Sequence, residues 1–305
     1  MSRIDQALRS WEIAKGTGAP EVGVTHSSSS SSLSQYSHEE PVQHAREEPT
    51  PPRSIEPAQP FLPAFRARRS TPRRSKSADK ADLEARLVTG TSSTTSLEQY
   101  RRLATVLHEE QVQRQLKTVM ITSALPQDGK TLTVVNLALT LSESYARRVL
   151  VIDADLRWPG LHGVLNIPND CGLSEALRDG RHELPFVEVS SHLSALTAGK
   201  PGPTPLAGLT SKRMGEVIEA CAARFDWVLI DTSPVGVLPD AQVLARLVGA
   251  VILVIGAGST PAAAVERAIA ELGGPDSIIG TVLNRVEERR IPEANYYSQY
   301  GTSHD

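Results

Sequence analysis

The chain has 305 residues, 40% of them hydrophobic and 22% charged, enough for one α/β domain of roughly 200 residues plus a stretch that need not fold. A formal charge of -3 and only two cysteines, Cys171 and Cys221, exclude a strongly basic nucleic-acid binder and a disulfide framework, and point to a reducing compartment. No apolar run reaches the roughly 18 residues that a spanning helix needs and no charged-then-apolar leader is visible, so a cytoplasmic chain is expected, with any membrane role passing through a partner or a surface contact.

Residues 1–95 differ in kind from the rest. They hold a serine run at 27–32, many prolines (Pro49, Pro51, Pro52, Pro57, Pro60, Pro63) and little apolar periodicity, so they are expected to form a disordered arm. Its first eleven residues, "MSRIDQALRSW", are the exception: Ser2 and Asp5 resemble a capping box, and Ile4, Leu8 and Trp11 share a helical face. A fraying terminus and a docking helix explain that pattern equally well. Further on, Arg66, Arg68, Arg69, Arg73, Arg74 and Lys76 gather within the stretch 66–77; a solvated linker is the simpler reading, a weak contact with anionic lipid headgroups the alternative.

A helix is predicted from about Ser96, with Leu97, Tyr100, Leu103 or Ala104, and Leu107 on one side. It opens a domain expected at 96–290, followed by a flexible tail at 291–305. From Lys117 onward, short β-branched runs alternate with amphipathic segments. The runs are "TVMIT" (118–122), "RVLVID" (148–153), "HLSALTAG" (192–199), "DWVLID" (226–231), "GAVILVIG" (249–256) and "IIGTVLN" (278–284). Helices are predicted at about 130–144, 172–179, 210–224, 240–247 and 260–273. The alternation implies an α/β fold, a mostly parallel sheet flanked by helices on both faces.

In such sheets ligands gather at the carboxyl ends of the strands. After the first run, "SALPQDGKTLTVVNLAL" (123–139) almost spells the phosphate-loop pattern G-x-x-x-x-G-K-[ST], with Ala124 at the first glycine position. Gln127, Asp128, Gly129, Lys130, Thr131 and Leu132 form the candidate nucleotide-binding set. Backbone N–H groups would face phosphate, Lys130 would neutralise it, and the Thr131 hydroxyl would ligate Mg²⁺. A plain glycine turn with a surface lysine also explains a lone G-K-T; its place between strand and helix argues against that reading. Asp153 and Asp231 each end an apolar run, where a carboxylate is costly unless it is a ligand, a cap or a network member, and together they supply the acids that Mg²⁺ and ATP need. Asp155 lies two residues beyond Asp153, and Asp240 is placed to cap the next helix.

In this order the motifs resemble those of the bacterial tyrosine kinases of exopolysaccharide synthesis, a branch of the MinD/ParA-type P-loop ATPases. The resemblance covers about 96–305 and rests on the loop at 123–131, on "VLVIDADLRWPGLH", on "VLIDTSPVGVLPDA", and on Tyr296, Tyr297 and Tyr300 in the closing "YYSQYGTSHD". It implies that Lys130 and Thr131 bind phosphate and Mg²⁺, that Asp153 and Asp231 hold the metal, and that Asp155 assists the metal or deprotonates the attacking tyrosine. Arg157 would steady the phosphates, Asn284 would contact adenine, and the three tail tyrosines would be the phosphoacceptors. Lys130, Asp153, Asp155 and Asp231 are then the catalytic set, with ATP and Mg²⁺ as cofactors. The implied partners are a separate membrane chain-length regulator that recruits and activates the kinase and, as an alternative arrangement, further copies of the chain; no nucleic acid is implied. The family's oligomerisation pattern E-x-x-R-x-x-R stands here as Glu98, Arg101 and Ala104, and its "DTPP" as "DTSP". Two other readings remain at this point: a MinD/ParA-like ATPase switch without an acceptor, although the second lysine of K-G-G-x-G-K has no counterpart at 125–128, and a nucleotide-binding scaffold.

Overall fold

The computed structural model describes residues 64–65, 68–69, 87–88, 94–179 and 183–287. The amphipathic start of the chain, the serine run and the tail tyrosines Tyr296, Tyr297 and Tyr300 lie outside them, and of the basic stretch only Arg68–Arg69 are described. The strands are β1 (Ala64–Phe65), β2 (Arg68–Arg69), β3 (Thr118–Ser123), β4 (Val149–Asp153), β5 (Glu183–Leu184), β6 (Val187–Glu188), β7 (Leu193–Leu196), β8 (Trp227–Asp231), β9 (Ala250–Gly256) and β10 (Ile278–Asn284). The helices are α1 (Thr94–Arg114), α2 (Lys130–Ser144), α3 (Leu161–Val164), α4 (Leu173–Arg178), α5 (Pro205–Leu209), α6 (Lys212–Arg224), α7 (Asp240–Ala245) and α8 (Ala262–Glu271).

Eight strands form one sheet in the order β10-β9-β3-β8-β4-β7-β6-β2. Every pairing in it is parallel except β6 with β7. The β-branched runs behave as strands covered on both faces should, because successive side chains alternate sides. Val119 and Ile121 of β3, Val149 and Val151 of β4, and Trp227 and Leu229 of β8 pack toward α1, α2 and α3. Met120, Leu150, Ile152, Val228 and Ile230 pack on the other face, against α4 to α8. Each such fully buried aliphatic side chain contributes about 1.5 to 3 kcal/mol, which is why two-face burial outweighs any local preference.

Four details differ from the pattern read in the sequence. The eight-residue run predicted as strand through Gly199 ends at Leu196, because the Asn169 amide bonds both backbone groups of Gly199 and the Glu175 carboxylate accepts from Lys200 N–H. Short helices α3 and α5 form where none was predicted. Within 1–95, β1 pairs with β5 in a separate two-stranded sheet, β2 pairs with β6 at the edge of the eight-stranded sheet, and Val88, 4% exposed, donates its N–H to the Asn136 side chain. The chain therefore engages the domain upstream of Ser96. Finally, Ala104 is fully buried beside Leu107, so the third position of the oligomerisation pattern faces the core here, where an arginine would be costly.

Candidate functional site

The parallel register brings the chemistry to one edge. Strand β8 lies between β3 and β4, with Asp231 paired in register with Ile121 on one side and with Asp153 on the other. Residues 124–129 turn from the end of β3 into α2. Gly129, the N-terminal cap of α2, has φ 101, and Gln127 has φ 64. Ala124 is outside the left-handed set and buried, so its methyl group is compatible with the first position of the loop.

The loop is braced from within and from both later strands. The Asp128 carboxylate accepts from Leu125 N–H at 3.0 Å and from the Thr260 hydroxyl at 2.6 Å. The Asn284 amide donates to the Asp128 carbonyl at 2.8 Å, and the Arg285 guanidinium donates to the Gln127 carbonyl. Asp128 and Gln127, both expected to belong to the nucleotide set, thus shape the loop; Asn284 reaches the loop from the end of β10. Leu132 stands in the first turn of α2.

At the sheet edge, Lys130 Nζ lies 3.1 Å from Asp155 Oδ2, with the lysine side chain 14% exposed. The Thr131 hydroxyl donates to Asp231 Oδ2 at 2.7 Å. Asp153 accepts backbone N–H groups on both oxygens, from Asp155 at 3.2 Å and Leu161 at 3.0 Å, and Asp155 Oδ1 accepts from Trp158 N–H at 3.1 Å. Three acids and one lysine in so small a volume perturb one another. Burial works against the Lys130 charge, but Asp231, Asp155 and Asp153 together outweigh it and hold the ammonium above its usual pKa. Burial, then the charge of Asp231, lifts Asp153 well above the carboxylate range. Burial pushes Asp231 up to about 6 despite Lys130 and Thr131.

Arg157 and Asp240 take roles that sequence reasoning did not give them. Arg157, expected on the phosphates, donates to both Asp240 oxygens at 2.8 and 3.3 Å. Asp240, expected as a cap, is the first residue of α7 and makes no capping bond; its carboxylate is turned to Arg157 instead. Two residues were missed altogether, Thr260 and Arg285. The only hint to either was its place just beyond an apolar run, where ligand-shaping residues collect.

A cation fits this edge. Asp231 Oδ1 is buried with no hydrogen-bond partner, and the adjoining Thr131 hydroxyl is a second hard oxygen donor, the kind Mg²⁺ selects. Among the described residues no group of three or more His, Cys, Asp and Glu side chains is arranged to hold a metal by itself. Mg²⁺ bound through one or two protein oxygens completes its shell with phosphate and water.

Residues 119–299, more than half of the chain, match the family model of the CobQ/CobB/MinD/ParA nucleotide binding domain. The chain is 37% identical to tyrosine-protein kinase YwqD of Bacillus subtilis over 211 residues, which are 67% of this chain and 86% of that protein. It is 31% identical to tyrosine-protein kinase wzc of Salmonella typhimurium over 219 residues, 70% of this chain but 30% of that longer protein. The fold is similar to that of the kinase domain of Escherichia coli tyrosine kinase ETK, with a TM-score of 0.57 and 32% identity over 63% of this chain and 77% of that one.

Proposed function

The chain belongs to the bacterial tyrosine-protein kinases, within the CobQ/CobB/MinD/ParA nucleotide-binding fold, and we propose that it transfers the γ-phosphoryl group of ATP to Tyr296, Tyr297 and Tyr300. The observation that carries this reading is the meeting of Lys130, Thr131, Asp155 and Asp231 at three adjacent strand ends. Phosphoryl transfer asks a protein for positioning and charge neutralisation rather than for a covalent nucleophile.

Lys130, kept protonated by its carboxylate neighbours, exchanges the Asp155 carboxylate for the β- and γ-phosphate oxygens. The exchange leaves Asp155 Oδ2 without its cation, and that oxygen takes the proton of the acceptor phenol. The phenolic oxygen forms its bond to the γ-phosphorus as the bond to the bridging oxygen breaks, and ADP departs with that electron pair. Thr131, Asp153 and Asp231 would hold Mg²⁺, and when bound the ion would neutralise charge on the phosphates. Asn284, at the end of β10, is assigned to the adenine side, and Arg157 to the phosphates once it lets go of Asp240.

Among the described residues no helix is long and apolar enough to cross a membrane. We assign activation and recruitment to a separate membrane chain that regulates polysaccharide chain length, and the output to exopolysaccharide polymerisation and export. The full chain, given Mg²⁺ and γ-labelled ATP with that partner's cytoplasmic segment, should take label on the tail tyrosines. ATP hydrolysis without label, unchanged when all three tyrosines are replaced by Phe, would instead mark an ATPase switch.

A further inference from the structure

The phosphate loop is tied to the end of β9 by one hydroxyl that no motif includes. The Thr260 Oγ1 accepts the N–H of Gly256 at 3.1 Å and spends its single proton on Asp128 Oδ1 at 2.6 Å. Asp128 is 3% exposed, and its other oxygen closes the turn on Leu125 N–H at 3.0 Å. The contact is close-built from the β9 side as well: a Cβ on Gly256 would meet Asp128 Oδ1 at 2.9 Å and would also strike the Ser259 hydroxyl. The turn so closed contains Gln127 at φ 64, a left-handed conformation that an L-residue with a Cβ leaves readily unless neighbours hold it.

We infer that Thr260 is a positioning residue for nucleotide capture, acting through Asp128 to keep the loop in its phosphate-accepting shape before the nucleotide arrives. The inference rests on the nucleotide reading of this site. A loop that spends only a fraction of its time in the competent shape binds its ligand more weakly by that fraction. Once the triphosphate is seated its own contacts hold the backbone, so the chemical step is spared. The hydroxyl therefore acts on binding far more than on turnover.

The test uses the full chain with Mg²⁺ and a fluorescent mant-ATP titration, alongside kinetics of tail labelling at varied ATP. T260V, nearly isosteric but without the hydroxyl, should raise both the Kd for mant-ATP and the KM for ATP roughly tenfold, the loss of one hydrogen bond to a charged acceptor, with kcat within about twofold of wild type. T260S, which keeps the hydroxyl and drops the methyl, should restore both constants. In a D128A background T260V should add nothing, since the relay's receiver is gone. Should T260V fail to fold, T260A against T260S makes the same comparison. The inference is overturned if T260V binds mant-ATP as wild type does, if T260S is as weak as T260V, or if kcat falls while KM holds. A wild-type chain that binds no nucleotide would overturn the nucleotide reading, and this inference with it; a wild-type chain that binds, beside a T260V that binds equally, overturns this inference alone.

Discussion

Replacing Asp231 with Asn is expected to stabilise the protein in the absence of metal and nucleotide while abolishing phosphoryl transfer. Asp231 is fully buried, and burial moves its carboxyl from 3.8 up to about 6, even with Lys130 and the Thr131 hydroxyl favouring the charged form. A shift of about 2 units at about 1.4 kcal/mol per unit means that the ionised group costs the fold about 3 kcal/mol at neutral pH. Between 3.8 and about 6 the folded chain binds the proton more tightly than the unfolded chain does. Stability therefore falls as pH rises through that window, and the whole cost stands above it. The amide keeps the shape and an oxygen for Thr131 but does not titrate. In urea unfolding with EDTA, D231N should exceed wild type by about 3 kcal/mol at pH 8 and by about half of that at pH 5. A D231N variant less stable than wild type at pH 8, or a difference that does not change with pH, would refute the claim that this carboxylate is held at the fold's expense for binding.

Truncating Arg157 to Ala leaves Asp240, 1% exposed at its side chain, without its cation; the expected loss is about 2 kcal/mol, less than for a fully buried pair because Arg157 keeps partial access to water. Most of that stability should return in R157A/D240A, measured by the same unfolding. Gly129 to Ala puts a methyl group into the Asn284 amide at a backbone φ of 101; thermal unfolding should register about 1 to 2 kcal/mol or more of strain, and mant-ATP titration a near-complete loss of binding.

The sheet was legible because burial on both faces leaves one solution for a run such as "VLVID" or "WVLID", and the acids at the ends of those runs stood out because nothing apolar explains them. Asp153 and Asp231 meet in register for the same reason: each closes an equivalent run on a neighbouring strand. What stayed hidden depends on partners remote in sequence. Arg157 could not be matched to Asp240, since both residue types have local explanations, phosphate and cap, that needed no long-range pair. Asp128 was expected to belong to the nucleotide-binding set, yet its carboxylate reaches Thr260 beyond a different strand. Ala104 read as a missing arginine, when the helix places that position at the core. The two-residue pairings of β1 and β2 carry no apolar period, so a stretch judged by composition alone gave no sign of them.

The site as it stands is internally paired. Lys130 is matched by Asp155, the Thr131 hydroxyl by Asp231, and Arg157 by Asp240, so the lysine, hydroxyl and guanidinium that phosphate or metal would need are each engaged by a protein carboxylate, while Asp231 Oδ1 keeps no partner. Such pairs keep buried charges tolerable in the fold, and they would make nucleotide binding an exchange of partners. On the proposed mechanism the exchange imposes an order: Asp155 becomes free to take a phenolic proton only after a triphosphate has drawn Lys130 away. On that mechanism a tyrosine arriving before ATP meets a carboxylate already engaged, so the Lys130–Asp155 salt bridge would also withhold the base until there is a phosphoryl group to transfer.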